Sequence, residues 1–281
     1  ASPSVLGGID GRTSSRQLVE HNLVGTLNTL EYCKRVGAGF ILLSTSRVYS
    51  IEALASLPLD VRDGAYQPAI DDGSPPGLTA AGITEAFPTS SPISLYGSTK
   101  LASETIALEY GATFDFPVWI NRCGALAGAG QFGESEQGIF SYWIHSWRER
   151  AGLRYLGFDG LGHQVRDMLH PRDLTSLLES QMTGTGEPKH RIFNVSGGRD
   201  RAMSLRQLSA WCDRRFESHG SHDVIEDSTP RKYDVPWMVL SAARATATWG
   251  WEPKTELEDI LGEIADYAEA HPDWLAISAP R

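Results

Sequence analysis

The sequence has few cysteines, no long apolar run and fewer basic than acidic residues. Its three cysteines, Cys33, Cys123 and Cys212, are odd in number and lack the spacing of metal ligands, which favours reduced thiols and a cytoplasmic protein. No apolar run approaches the roughly 20 residues of a membrane-spanning helix, so we expect no membrane partner. The net charge of −10 argues against nucleic acid as a partner, because phosphate backbones bind clusters of Lys and Arg.

The remaining composition, with 41% apolar and 21% charged residues among 281, is that of a globular protein with a hydrophobic core. In the first half, the apolar pattern predicts helices over residues 14–35 and 91–110 and buried strands over 40–43 and 116–120. This alternation favours an α/β fold with a Rossmann-like, doubly wound parallel sheet. Residues 51–90 are rich in Pro, Gly, Asp and Ser, and we expect them to form a long functional or mobile loop.

After residue 125 the apolar pattern is less regular. It predicts helices over residues 139–150, 205–216 and 257–267 and a short strand over 192–195. We interpret residues 1–125 as the remainder of a doubly wound domain and residues 126–281 as a smaller, interleaved C-terminal domain. The strand near 190–197 is expected to return to the first domain.

Two groups of polar residues lie where chemistry is expected. Tyr96 and Lys100 are four residues apart near the start of a predicted helix, so both side chains lie on one face. An ammonium about 4 Å from the phenol is worth ~4 kcal/mol at an effective dielectric of about 20. Such a pair would lower the phenol's pKa by about three units from its usual ~10, which would make it a general base. Ser44 and Thr45 directly follow a buried strand, at the sheet edge where open α/β sheets bind ligands.

Ser44-Thr-Ser-Arg-Val-Tyr49 after a strand, together with Tyr96-Gly-Ser-Thr-Lys100 on a later helix, resembles the extended short-chain dehydrogenases/reductases. The resemblance implies that NAD is the cofactor and that Thr45, Tyr96 and Lys100 are catalytic. Asn22-Leu-Val-Gly-Thr26 matches a helix motif of this family whose Asn supports the lysine through water. The resemblance also implies that residues 1–125 bind NAD, that residues 126–281 bind a nucleotide sugar, and that the cofactor contacts are Ala1, Asn22, Ser44, Tyr96 and Lys100.

Residues 162–173 resemble the family segment Arg-Asp-x-x-His-x-x-Asp. The resemblance makes Arg166 a ligand of the substrate pyrophosphate, a role that suits its planar guanidinium. Arg231 falls where the family carries a second phosphate-binding Arg, and the alternative for Arg231 is a solvated surface charge. We expect Asp167, His170 and Asp173 to be structural, with Asp173 capping the following helix.

Within the family, the sequence is most similar to enzymes of the CDP-paratose/CDP-tyvelose type, which epimerise a CDP-linked dideoxyhexose at C2. The similarity includes Gln131-Phe, Gln137-Gly and the segment around Arg166, and it favours a CDP-sugar as substrate. The family's dehydratases carry an acidic pair where this sequence has Ser46 and Arg47, which disfavours dehydration. A 4-epimerase, a reductase of another nucleotide sugar, a simple alcohol dehydrogenase and a non-catalytic binding protein of the same fold stay open.

The sequence does not open with the glycine-rich turn that binds the cofactor pyrophosphate in this fold. Its first residues, 1–5, resemble the segment after the family's fourth strand, so we expect about 70 residues with three strands to precede them. The alternative is a truncated protein that binds no NAD. Residues 124–130 resemble the turn but follow the catalytic helix, and we reject them. In the family, helices equivalent to residues 18–30 and 96–108 pair across a two-fold axis, which implies a homodimer or homotetramer.

Overall fold

A computed structural model of the protein describes residues 14–134, 137–184, 189–217 and 222–278. Ala1, an expected cofactor contact, lies outside these ranges. The helices of the described residues are α1 (Ser15–Val19), α2 (Gly25–Val36), α3 (Ile51–Ala55), α4 (Ser94–Phe114), α5 (Ile139–Arg148), α6 (Pro171–Thr183), α7 (Leu205–Arg215), α8 (Ala243–Trp249), α9 (Leu257–Ala270) and α10 (Trp274–Ser278). Their strands are β1 (Phe40–Thr45), β2 (Leu59–Arg62), β3 (Ala65–Pro68), β4 (Leu78–Thr79), β5 (Gly82–Ile83), β6 (Val118–Cys123), β7 (Ala125–Leu126), β8 (Leu153–Leu156), β9 (Val165–Leu169), β10 (Ile192–Val195), β11 (Ala202–Ser204), β12 (Val224–Asp227) and β13 (Trp237–Met238).

A parallel sheet in the order β1-β6-β10 forms the centre of the fold. On one side of β6 Phe40 pairs with Val118, and on the other side Ile192 pairs with Ile120. Every residue of β6 is buried, because helices cover both faces of a doubly wound sheet. This arrangement confirms the predicted α/β class with a Rossmann-like parallel sheet.

The side chains of β6 alternate between two cores, as the period of a strand requires. Val118 and Ile120 pack with Leu30 of α2 and Ala107 of α4 on one face. Trp119 packs on the opposite face in a cluster with Leu177 of α6 and Ala245 of α8. The helices on each face therefore fix the carboxyl ends of β1 and β6, where polar residues begin.

A second, mixed sheet lies next to the first. Its order is β11-β9-β13, and β7 also pairs with β9. Because β7 follows β6 after one residue, the chain steps directly from the central sheet to the second. It then returns to the central sheet at β10 and leaves again to β11.

The prediction that residues 51–90 form one long loop was wrong. They contain α3 and two antiparallel hairpins, β2–β3 and β4–β5. Asp63 and Gly64 form the first turn with φ of 50° and 73°, and Asp-Gly is favoured in two-residue hairpin turns that need positive φ at both positions. In none of the described ranges does a helix combine the length and apolar character needed to cross a membrane.

Candidate functional site

A cavity of about 340 Å³ lies where the central sheet meets the second sheet. Its volume falls within the range of small-ligand pockets. The residues expected to act on the substrate line it together, although they come from distant parts of the chain: Thr45, Tyr96, Arg166 and Arg231. Ser44 also lines the cavity, so five predicted site residues line it together. Lys100 is not among the described lining residues.

Tyr96 and Lys100 lie one turn apart on α4, and both residues are only 8% exposed. The Lys100 Nζ atom donates a hydrogen bond of 2.7 Å to the carbonyl oxygen of Leu43 on β1. This bond fixes the lysine beneath the carboxyl end of β1. Thr45 ends the same strand, and its hydroxyl accepts a 3.2 Å hydrogen bond from the backbone N–H of Arg47.

Burial, not Lys100, dominates the ionisation of the phenol. It raises the pKa of Tyr96, while a hydrogen bond with Thr45 and the charge of Arg47 lower that pKa in part. Burial also lowers the pKa of Lys100, and Cys123 and Glu104 partly oppose this shift. The expectation that Lys100 lowers the pKa of Tyr96 by itself was therefore wrong, because desolvation of the phenolate is the larger effect.

Gly97 explains how α4 approaches the residues after β1. A Cβ atom at Gly97 would overlap the carbonyl oxygen of Arg47, which lies in the short 3-10 turn Ser46–Val48. Only glycine permits this contact between α4 and the turn. The contact keeps Thr45, which precedes the turn, close to Tyr96, which precedes the glycine.

Asn22 lies in a π-helical turn, Glu20–Val24, between α1 and α2. Single π-helical turns of this kind are frequent at functional sites. The Asn22 side chain is buried, and its Nδ2 donates a 3.0 Å hydrogen bond to the Thr99 hydroxyl. The Ser103 hydroxyl donates to the Asn22 carbonyl oxygen at 3.3 Å. Asn22 thus ties the first helix to α4 on either side of Lys100, through Thr99 and Ser103.

Ser44 belongs to a buried polar network that the sequence analysis missed. Its hydroxyl donates a 2.5 Å hydrogen bond to Glu104 on α4. Glu104 also pairs with Arg122 of β6 at 2.7 Å, with side chains 2% and 5% exposed. A sequence signal existed for Glu104, because it lies four residues beyond Lys100 and hence on the same helical face. The pair joins α4 to the carboxyl ends of β1 and β6.

Arg166 and Arg231 meet on the other wall of the cavity, on either side of Asp234. Arg166 lies on β9, and its Nη2 is 2.9 Å from Asp234 Oδ1, whereas Arg231 Nη1 is 3.9 Å from Oδ2. The pKa of Arg166 is lowered to about 10, mainly by burial; Asp234 opposes this shift, and the charges of Arg47 and Arg231 contribute to it. The site concentrates positive charge here, although the whole chain is acidic.

Asp167, His170 and Asp173, which follow Arg166 in the sequence, accept hydrogen bonds from backbone N–H groups. Asp167 accepts hydrogen bonds from the Ser196 hydroxyl and from the Leu240 N–H, the latter at 2.7 Å. The prediction that Asp173 caps α6 was wrong. His170 is the cap, since its Nδ1 accepts a 3.1 Å bond from Arg172 N. Asp173 instead accepts a 3.0 Å bond from Thr255 N.

Comparison with known proteins agrees with this geometry. Residues 7–196 match the family model described as the NAD dependent epimerase/dehydratase family. CDP-paratose 2-epimerase of Salmonella typhi is 24% identical over 259 residues, which are 89% of this chain and 71% of that protein. UDP-glucose 4-epimerase of Corynebacterium glutamicum is 26% identical over 201 residues, 68% of this chain and 59% of that protein.

A solved structure has the same fold. UDP-glucose 4-epimerase from Thermotoga maritima, crystallised with UDP-glucose, aligns with a TM-score of 0.70 at 20% identity. The alignment covers 96% of this chain and 75% of that one. The chain thus spans about three fifths to three quarters of the length of these three proteins.

Proposed function

Because the chain belongs to the NAD-dependent epimerase/dehydratase family, we propose that it interconverts two epimers of a nucleotide-activated sugar by transient oxidation. A CDP-linked sugar of the CDP-paratose/CDP-tyvelose type is the favoured substrate, with inversion at C2. The observation that carries the proposal is a cavity whose lining includes Thr45 of β1 and Tyr96 of α4 as well as Arg166 of β9 and Arg231. It offers a proton acceptor and a diphosphate site at the two ends of one ligand.

Each side chain of the cavity has a defined task in this reaction. The Tyr96 phenolate would accept the proton of a sugar hydroxyl, with the Thr45 hydrogen bond opposing the effect of burial on the pKa of the phenol. Thr45 would also hold the sugar oxygen by a hydrogen bond. Arg166 and Arg231 bind the diphosphate, because guanidinium groups pair well with phosphate oxygens. Return of the hydride to the opposite face of the ketone, together with return of the proton by Tyr96, would give the epimer; the hydride would pass to NAD and come back from it, so atoms and electrons balance over the cycle.

The residues near Lys100 fit a nicotinamide dinucleotide. The chemistry that bound NAD supplies is reversible hydride acceptance. Within the described ranges the hydrogen-bond partner of Lys100 is Leu43, so two of the three N–H groups of the ammonium are available to ribose hydroxyls. Ser44 lies at the carboxyl end of β1, Asn22 contacts Thr99, the residue before Lys100, and Ala1 is assigned to the cofactor by the sequence resemblance alone.

Epimerisation is favoured over dehydration by the residues after Thr45. Dehydration needs an acid and a base close to the catalytic hydroxyl, and here a buried serine and an arginine, Ser46 and Arg47, follow it. Two carboxylates do line the cavity, but Asp167 is bonded to Ser196 and Leu240, and Asp234 is paired with Arg166 and Arg231. We therefore assign no dehydratase step to this chain.

We also propose the domain roles and the assembly. Residues 1–125 with β10 would hold NAD, residues 126–281 would hold the nucleotide sugar, and the protein would act in the cytoplasm, consistent with its free cysteines. Apolar side chains are exposed on α2 and α4, among them Tyr32 at 55% and Phe114 at 45%. They support a homodimer or homotetramer, which sedimentation velocity would test.

The test of the proposed function is turnover by the intact protein with NAD. CDP-paratose, CDP-tyvelose and UDP-glucose are incubated separately, and the sugar epimers are measured by NMR. We expect interconversion of the CDP-sugars and a loss of at least about a hundredfold in kcat for Tyr96→Phe. Tyr267→Phe is the matched control and should keep full activity, since this tyrosine of α9 is not among the described residues that line the cavity. Turnover of UDP-glucose alone would favour a 4-epimerase, and full activity of Tyr96→Phe would overturn the mechanism.

A further inference from the structure

Arg47 is a charged residue of the cavity that the reaction described above does not use. It lines the cavity together with Thr45 and Tyr96. Its backbone is held on both sides, because its N–H donates to the Thr45 hydroxyl at 3.2 Å and its carbonyl oxygen abuts Gly97. The start of the Arg47 side chain is thus fixed between the two residues that act on the sugar hydroxyl.

Arg47 shares the cavity with the residues at both ends of the proposed ligand, since Tyr96, Arg166 and Arg231 also line it. Its charge influences both the Tyr96 phenol and the Arg166 guanidinium. Such interactions weaken with distance and are screened by water. Arg166 and Arg231 are themselves both paired with Asp234.

A nucleotide sugar that spans this cavity places its diphosphate in a fixed order. The phosphate that carries the sugar is nearer to the reacting hydroxyl than the phosphate that carries the nucleoside. With the sugar at Tyr96 and the diphosphate at Arg166 and Arg231, the sugar-proximal phosphate lies towards Arg47. Arginine suits this position because its fork offers several N–H donors to phosphate oxygens.

We propose that Arg47 binds the sugar-proximal phosphate of the substrate and holds the reacting hydroxyl at Tyr96. The proposal rests on the proposed function and adds to it a residue that distinguishes a diphosphate from a monophosphate. Its positive charge next to the phenol also favours the phenolate. Removal of Arg47 then has two effects, weaker binding of diphosphates and a higher pH requirement for turnover.

The binding experiment compares CDP with CMP, and UDP with UMP, by calorimetry on the intact protein. The variants are Arg47→Gln, Arg47→Lys and, as a matched control, Arg62→Gln, whose arginine is exposed and paired with Asp60. We expect Arg47→Gln to weaken the diphosphate about tenfold and the monophosphate less than about twofold, as for one charged hydrogen bond. Arg47→Lys should recover part of the loss, and Arg62→Gln should match the wild type.

A second measurement follows kcat against pH with the substrate that the wild type turns over. Loss of the positive charge raises the pKa of Tyr96, so the rising limb for Arg47→Gln should move upward by about half a unit or more. Arg47→Lys should restore the wild-type profile. A purely structural role of Arg47 would lower kcat without this movement.

The outcomes separate the two proposals. Equal binding of diphosphate by Arg47→Gln and wild type, or equal losses for diphosphate and monophosphate, would overturn the role of Arg47 and leave the proposed function intact. Failure of the wild type to bind CDP and UDP would overturn the proposed function and the role of Arg47 with it. Should Arg47→Gln lack a cooperative thermal transition, Arg47→Met, which keeps the aliphatic stem, takes its place under the same criteria.

Discussion

At the scale of single residues, Asp167 connects the cavity to the stability of the fold. Its carboxylate is 1% exposed, and burial raises its pKa to about 6 although hydrogen bonds from Ser196 and Leu240 oppose the shift. The ordinary value is 3.8. The folded state therefore binds this proton more tightly than the unfolded state, and the stabilisation present below about pH 4 is lost as pH rises through about 6.

Asp167→Asn removes this titration and should show it directly. We expect the difference in free energy of unfolding, wild type minus variant, to fall by about 2–3 kcal/mol between pH 4 and pH 7. Urea denaturation at several pH values measures it. Asp227→Asn is the control, because a hydrogen bond from Thr229 lowers the pKa of Asp227, so that any change with pH has the opposite sign. A difference for Asp167→Asn that stays constant with pH would contradict the assignment.

The catalytic candidates were predictable as residue types at fixed spacing. Thr45 and Tyr96 could be found because each stands at a definite place, the end of a strand and the start of a helix. Glu104 and Arg122 escaped prediction because the partner of a buried charge comes from another element, here at 2.7 Å across the sheet edge. The pKa of Tyr96 was also misjudged, since spacing reveals a neighbouring charge but not the extent of burial.

At the scale of elements, the contact of α4 with the turn after β1 depends on one missing side chain. Gly97→Ala would drive a methyl group into the carbonyl oxygen of Arg47. We expect a loss of about 1–3 kcal/mol in the free energy of unfolding, the usual cost of overpacking. We also expect lower kcat, because the separation of Thr45 from Tyr96 would change. Chemical denaturation and a turnover assay measure both effects.

Gly262→Ala is the matched control for this substitution. Gly262 lies within α9, and nothing lies within 4 Å of its Cβ position. Alanine there should stabilise the protein by up to about 1 kcal/mol, because glycine lowers helix propensity. Equal effects of the two substitutions would show that the packing of α4 against the turn is unimportant.

Elements with a continuous apolar or periodic pattern were predicted well, and short elements in Pro- and Gly-rich sequence were not. The predicted strand over residues 192–195 coincides with β10, and the predicted helix over 139–150 corresponds to α5. The segment after residue 50 was expected to be a loop because its Pro and Gly content obscures strands of two to four residues. Helix α8 was not predicted, since Ala243–Trp249 alternates Ala with Arg and Thr and lacks an apolar stripe. Packing against β10 decides its structure.

At the scale of the whole molecule, ligand binding should stabilise the fold, because the cavity is lined by residues of both sheets. At about a hundredfold excess over Kd, CDP would add ~2.7 kcal/mol to the free energy of unfolding. For a chain of this size that corresponds to a rise in Tm of about 5 °C. Differential scanning fluorimetry measures the shift, and Arg231→Met should reduce it by at least half. A Tm that neither CDP nor UDP raises would contradict a diphosphate site.

Because the backbone alternates between the two sheets, the protein cannot be divided into two fragments with one sheet each. Along the chain, β6 belongs to the central sheet, β7 and β9 to the second sheet, β10 again to the central sheet and β11 again to the second. No single cut yields one fragment with all of the central sheet and another with all of the second. Cleavage after residue 125 separates β6 from its neighbour β10 and exposes the unpaired backbone N–H and C=O groups of β6. The two sheets must therefore be exchanged between relatives as interlaced segments, because two blocks joined at one point would divide the central sheet.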